Sequence, residues 1–295
     1  MVRCLVTGGQ GFIGSHMVEF LLEKNHSVTV IDDQSAPENT DFYVFRGDVK
    51  YHNASVTDEN THELYNDIDY VFHFAARSRI QPSLVNPRET FENNVLGTQS
   101  VLQASRKHGI KKVVYSGSSS FYGRANVPPH VETMQSDCLN PYSLSKFQGE
   151  QVCKMYSQLW ELNTVILRYF NVYGPREPLR GVYAPVIGIF KRQRDTNQKI
   201  TVIGDGEQRR DFTYVKDVVN ANWLAATSDV KHDIFNIGTE KNYSINQVAD
   251  LVTGEKQYIK PRPAEARETL ANISKAKRLL NYSPKYSLED MINAY

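Results

Sequence analysis

An α/β fold, a doubly wound parallel sheet with a smaller α/β cap, is predicted by three features of this 295-residue chain. An apolar run, Val2 to Val6, passes straight into Gly8, Gly11 and Gly14, and an amphipathic segment from Phe12 to Leu22 follows. Apolar strand-like runs then alternate with helix-like segments through the first half, the pattern of a parallel sheet covered on both faces. After Asn171 the alternation breaks into a stretch bearing Gly174, Pro175, Pro178 and Gly181, followed by mixed short strands and helices that read as the cap.

Taken in order, the first unit is strand, tight turn and helix. The turn carries no side chains where a phosphate would approach, and a helix N-terminus offers unpaired N–H groups and a positive dipole end. The spacing is G-x-x-G-x-x-G rather than the general dinucleotide fingerprint G-x-G-x-x-G. Val28–Ile31 is the second strand and ends at Asp32. Phe42–Phe45 reads as a third, followed by the turn Gly47-Asp48-Val49, and the polar segment between Asp32 and Phe42 is too short for a helix. Tyr70–Phe74 and Lys112–Ser116 read as strands four and five. Between them Pro87 to His108 reads as one long helix, with Gly109 as its stop signal. Pro141 opens a second long helix to about Leu159, as proline suits the first turn, and Val165–Leu167 is the next strand. Beyond it Ile200–Ile203 and Ile234–Ile237 read as strands, and Ala184–Arg194, Val215–Ala226, Ile245–Val252 and Lys275–Leu280 as helices. The division is a nucleotide-binding half, residues 1–168, and residues 169–295 forming mainly the cap, with some segments returning to the first domain.

Composition narrows the functional class. Lys and Arg number 34 against 33 Asp and Glu, a net charge of +1, which gives no support for a nucleic-acid or membrane-surface partner. Three cysteines, Cys4, Cys138 and Cys153, have spacings that suit neither a zinc site nor a disulfide framework. No apolar run reaches transmembrane length and no signal peptide opens the chain, so a soluble, cytoplasmic protein without a metal is expected.

Three groups carry chemistry. Asp32 stands at a strand end 18 residues after Gly14, where a carboxylate can accept hydrogen bonds from both ribose hydroxyls of an adenosine and would repel a 2′-phosphate. No arginine is beside it in sequence, which favours NAD over NADP. Tyr142 and Lys146 are four apart on the second long helix and share a face. A nearby lysine cation and an oxidised nicotinamide both favour tyrosinate; bringing a phenol from ~10 to neutral pH needs roughly 4 kcal/mol of such help. The cluster Ser116-Gly117-Ser118-Ser119-Ser120 lies at the carboxyl end of the fifth strand, where ligands bind in open α/β sheets.

Together these residues resemble the extended short-chain dehydrogenase/reductase superfamily, in particular its NAD-dependent nucleotide-sugar epimerases and dehydratases. The likeness runs along nearly the whole chain and implies a Rossmann-type first domain. Thr7 to Gly14 is similar to the family's cofactor loop, which places Gly8, Gly11, Phe12, Ile13 and Gly14 on the dinucleotide. Asp48 and Val49 match its adenine-contacting turn; Phe74, Ala75 and Ala76 match the strand end along the cofactor, and Asn94 the helix behind it. Ser118, Tyr142 and Lys146 fall at the catalytic triad. In Arg168-Tyr-Phe-Asn-Val-Tyr-Gly-Pro175 the resemblance puts Tyr169 and Phe170 beside the nicotinamide and Asn171 on the sugar nucleotide. Arg210 and Arg262 match arginines on the nucleotide diphosphate, which two planar guanidinium forks suit well. Glu265 takes the place of the acid near the nucleotide ribose. Ser119 and Ser120 join Ser118 on the sugar side.

The resemblance also bears on the reaction. Dehydratases of the family carry a glutamate two residues after the catalytic Ser or Thr, and decarboxylases keep an acid there; here that place is Ser120. Epimerases need none, so C4 epimerisation of a UDP-sugar through a 4-keto intermediate is expected. The alternatives are a dehydratase or reductase on the same scaffold, and a silent NAD-binding protein, against which retention of Ser118, Tyr142 and Lys146 argues. Thr269 falls where some members carry a bulky tyrosine, leaving room for a C2 N-acetyl group; UDP-N-acetylglucosamine is the first expectation, then UDP-glucuronate, which Arg77 and Arg79 could meet, or UDP-glucose. The family's pairing of its two long helices into a four-helix bundle implies a homodimer.

Overall fold

The computed structural model of the chain describes residues 1–36, 47–179, 184–261 and 263–295. Its strands are β1 (Arg3–Thr7), β2 (Ser27–Asp32), β3 (Val49–Asn53), β4 (Tyr70–His73), β5 (Lys112–Ser118), β6 (Thr164–Tyr169), β7 (Val172–Tyr173), β8 (Ile200–Ile203), β9 (Arg209–Asp211), β10 (Thr213–Tyr214), β11 (Asp233–Ile237), β12 (Asn242–Ser244) and β13 (Lys256–Ile259). Its helices are α1 (Phe12–Glu23), α2 (Ile80–Val85), α3 (Pro87–Phe91), α4 (Gly97–Lys107), α5 (Pro141–Trp160), α6 (Val186–Asp195), α7 (Val215–Thr227), α8 (Ile245–Val252), α9 (Ser274–Leu280) and α10 (Leu288–Met291). Among the described residues seven strands form one sheet in the order β11-β6-β5-β4-β1-β2-β3, parallel throughout. The order reverses between β1 and β4, the switch point at which open α/β sheets bind ligands.

Two apolar layers cover this sheet. On one face Met17, Val18 and Leu21 of α1 and Val218 and Ala225 of α7 pack with Ala276 and Leu280 of α9. On the other, Val101 and Leu102 of α4 and Cys153 and Tyr156 of α5 meet Leu5, Val71, Val113 and Ile166. A third cluster, with Ile187, Phe190, Ile200, Val202, Tyr243 and Val248, is the core of the cap. The late strand β11 returns to the central sheet beside β6. The cap is clamped to α1: Arg176 reaches both carboxylate oxygens of Glu19 at 2.6 and 2.7 Å, and the His16 ring donates to the Pro175 carbonyl at 2.7 Å.

Two local expectations change. The strand expected at Phe42–Phe45 lies outside the described residues; among the described residues β3, Val49–Asn53, stands at the edge of the sheet beside β2. Its polar Lys50, His52 and Asn53 suit an edge strand with one partner. Val49 is therefore buried in a strand rather than set in a turn. The helix expected from Pro87 to His108 is interrupted by a π-helical segment, Glu92–Leu96, between α3 and α4. No described helix is long and apolar enough to cross a membrane.

Candidate active site

The glycine turn sets one wall of the site. Gly8 has φ of 68°, and a Cβ there would lie 2.7 Å from the Ala75 nitrogen; one on Gly14 would lie 2.1 Å from the Gly8 carbonyl oxygen. Side chains are thus excluded where β1 hands over to α1 and the β4 end approaches. Gly11 caps α1 without a side-chain hydrogen bond, and no acid stands in the first turn, so this N-terminus suits a diphosphate. At the end of β2, Asp32 Oδ2 accepts from the Gln10 N–H at 2.9 Å and Oδ1 from the Gln34 N–H at 2.8 Å. Burial raises its carboxyl and these bonds oppose the rise.

From this wall a cleft of about 900 Å³ runs to the cap, within the range of small-molecule sites. Gly8, Gly11, Phe12, Ile13, Gly14, Asp32, Phe74, Ala75 and Ala76 line its first half. Ser118, Ser119, Ser120, Tyr142, Lys146 and Tyr169 line the middle, and Asn171, Arg210, Glu265 and Thr269 the cap end. Arg262 lies outside the described residues.

The middle is set by β5 and α5. Asn140 caps α5 by accepting from the Ser143 N–H at 2.8 Å, with Pro141 in the first turn. This start places Tyr142 and Lys146 on the buried face. Ser83 of α2 accepts from the Tyr142 N–H at 3.1 Å. Tyr142 lies beside Ser118 in the cleft, and Ser118 Oγ lies 2.8 Å from Ser120 Oγ. Burial raises the Tyr142 phenol above its ordinary value and the neighbouring Ser118 hydroxyl opposes the rise. Burial also pulls the Lys146 ammonium down to about 8, with Glu150 opposing. In the protein by itself desolvation outweighs the neighbouring Ser118 hydroxyl, so the phenol is not drawn toward neutrality.

At the cap end Asn171 Nδ2 donates to the Asp211 carbonyl at 3.0 Å and to Thr269 Oγ1 at 3.1 Å. Arg210 donates to the Ala266 carbonyl at 2.8 Å and stands 3.8 Å from Glu265. Burial lowers its pKa and Glu265 opposes.

Several expected residues sit elsewhere. Asp48 and Val49 lie off the cleft at the start of β3. Asn94 is buried behind it: its amide accepts from the Arg77 N–H at 2.7 Å and donates to the Arg77 carbonyl and Ser145 Oγ at 3.0 and 2.8 Å. It therefore positions the chain beyond Ala76 and leaves no donor for a dinucleotide. Phe170 is wholly buried, 6.0 Å from Tyr122 and 6.2 Å from His130 between ring centroids, so Tyr169 alone of that pair faces the cleft. Arg77, taken as a possible partner of a sugar carboxylate, lines the cleft and is held by Glu89 at 2.7 Å and Ser35 Oγ at 2.5 Å. Sequence reasoning missed Gln10 and Ser83, whose roles depend on tertiary contacts. It also missed Glu150, which the helical spacing Tyr142-Lys146-Glu150 could have revealed.

Residues 4–238 match the NAD dependent epimerase/dehydratase family. A solved UDP-glucose 4-epimerase of Thermotoga maritima, with UDP-glucose, is 34% identical; 98% of this chain and 96% of that one superpose with a TM-score of 0.93. A UDP-N-acetylglucosamine 4-epimerase of Methanobrevibacter ruminantium, in complex with UDP-N-acetylmuramic acid, is 32% identical over 99% and 96% of the chains, also at 0.93. A UDP-N-acetyl-alpha-D-glucosaminuronate decarboxylase of Bacillus cytotoxicus is 39% identical over 254 residues, 84% of this chain and 78% of that protein.

Proposed function

The chain belongs to the NAD-dependent epimerase/dehydratase family, and from that premise we propose that it interconverts the C4 epimers of a UDP-sugar, UDP-N-acetylglucosamine first, then UDP-glucuronate or UDP-glucose. One observation carries the reading: Ser118, Tyr142 and Lys146 converge in the middle of the cleft, with a second hydroxyl, Ser120, where a dehydration or decarboxylation would require an acid.

NAD fits the first half of the cleft, where the Gly8–Gly14 turn and the α1 N-terminus suit its diphosphate and Asp32 its adenosine ribose. When bound it would supply the acceptor and then the donor of the C4 hydride, with no net oxidation of the sugar. The chain's own residues handle the proton and the geometry. Tyr142 takes the proton of the C4 hydroxyl, and Ser118, beside the phenol, holds the sugar oxygen next to it. Lys146 supplies positive charge that favours the tyrosinate, and holds a ribose. Because burial holds the phenol up, proton transfer depends on cationic charge at that spot; each pKa unit it must recover is worth about 1.4 kcal/mol. Arg210 and Glu265 face the nucleotide end. Arg262, outside the described residues, is proposed as a second cation on the diphosphate. Thr269 presents a small side chain to the sugar beside Asn171, which leaves space for an N-acetyl group at C2.

We assign the dimer contact to α4 and α5. Leu144, Met155, Leu159 and Trp160 of α5 and Leu96 before α4 are exposed apolar side chains, the material of a helix–helix interface.

Tyr142→Phe tests the proton-transfer role. Turnover should fall on the order of 10²–10⁴-fold or more, with NAD binding retained in a fluorescence titration. Undiminished turnover would rule the role out.

A further inference from the structure

Behind the catalytic wall lies a charged pair that the proposed reaction does not itself use. The side chains of Glu150 and Arg168 are 1% and 3% exposed. Arg168 closes its fork on both carboxylate oxygens, Nε to Oε1 at 3.0 Å and Nη2 to Oε2 at 2.7 Å. Its Nη1 donates to the Tyr122 hydroxyl at 3.1 Å, and its guanidinium carbon sits 3.4 Å from the centre of the Phe121 ring. Phe121 and Tyr122 belong to the short 3-10 turn that Ser118 caps. The arginine therefore grips the turn that carries the site hydroxyls.

The pair also lies beneath the strand end, one helical turn from the lysine. Glu150 stands one helical turn beyond Lys146 on the buried face of α5. A Cβ on Gly117 would lie 3.1 Å from Glu150 Oε1 and 3.2 Å from Arg168 Cγ, so the pair fills the space beneath the residue that precedes Ser118. Lys146 rests with Nζ 4.8 Å from the centre of the Tyr115 ring, and the Tyr115 hydroxyl donates to the Lys146 carbonyl at 3.1 Å.

The other titratable groups facing Lys146 carry no charge near neutral pH. Burial raises Tyr142 and Cys153 on its own helix and Tyr115 on β5, and lowers His73 on β4 to about 3. Burial also raises Glu150, while the Arg168 fork and Lys146 oppose it; two charge-assisted bonds keep it a carboxylate. Glu150 is thus the anion that supports the Lys146 ammonium, and Arg168 fixes where that anion sits.

We propose that Glu150, clamped by Arg168, is a positioning residue that keeps Lys146 protonated beside Tyr142 and holds the Ser118 turn in place. The inference rests on the proposed reaction for its purpose, but its test does not require turnover.

Glu150→Gln alone leaves Arg168 unpaired in the interior, a severe cost; the double variant Glu150→Gln, Arg168→Met removes both charges. The ε-ammonium of Lys146 is followed by ¹⁵N-lysine NMR against pH, its signal assigned through Lys146→Arg. The midpoint should fall by roughly one pH unit or more in the folded double variant, and Glu150→Asp should return most of it. With UDP-N-acetylglucosamine the alkaline limb of kcat should move down in parallel, while KM changes little. A folded double variant with the wild-type midpoint would overturn the proposal. Absence of turnover in the wild type would instead count against the reaction, leaving the NMR midpoint to decide the role of Glu150.

Discussion

Glu177 is a buried acid at the cap end of the cleft whose ionisation ties stability to pH. It is 1% exposed and accepts from the Tyr295 hydroxyl at 2.8 Å. Burial raises its carboxyl to about 8. Between about pH 4.5 and 8 the folded chain therefore holds a proton that the unfolded chain has released, so this group's contribution to stability is present at low pH and lost as pH rises through 8. Glu177→Gln keeps the shape and removes the titration. The variant should gain on the wild type by about 3–5 kcal/mol between pH 5 and pH 8, read as a growing difference in Tm; a constant difference would contradict this assignment. Such an effect was not legible in the sequence, where Glu177 is one acid in an irregular stretch. Tyr142, Lys146 and Asp32 were legible because helical spacing and strand ends are local geometry. Asn94 and Arg77 were not, because their partners, Ser145, Ser35 and Glu89, come from other elements or the far side of a turn.

At the scale of elements, the turn between β1 and α1 bears a tight steric demand in the site. A methyl on Gly14 would stand 2.1 Å from the Gly8 carbonyl oxygen, and that atom is backbone. Gly14→Ala must therefore shift α1 or the turn, at about 1–3 kcal/mol by analogy with overpacked cores. NAD affinity should weaken by at least tenfold in a calorimetric titration, with a lower Tm; unchanged affinity would show that the turn does not carry the dinucleotide. This element was readable because its strand, glycines and helix are consecutive. Strand β3 was not, since Lys50, His52 and Asn53 have the polarity of a loop and become a strand only by pairing with β2. The π-helical break at Glu92–Leu96 was likewise hidden, as its apolar spacing continues the helical pattern on either side.

At the scale of the molecule, a cleft runs from the Gly8–Gly14 turn to Arg210 and Thr269. The exposed stripe of Leu144, Met155 and Leu159 leads us to expect a dimer, seen by light scattering as a mass twice that of the chain. Leu159→Glu should shift it toward monomer; a wild-type monomer at all concentrations would contradict the α4–α5 contact. The central claim is C4 epimerisation, and proton NMR of a UDP-sugar incubated with the purified protein and NAD tests it most directly. With UDP-N-acetylglucosamine a second anomeric signal with galacto-type couplings should grow to equilibrium while no NADH accumulates. Unchanged spectra with UDP-N-acetylglucosamine, UDP-glucuronate and UDP-glucose alike, or a product lacking the C6 hydroxyl, would contradict it.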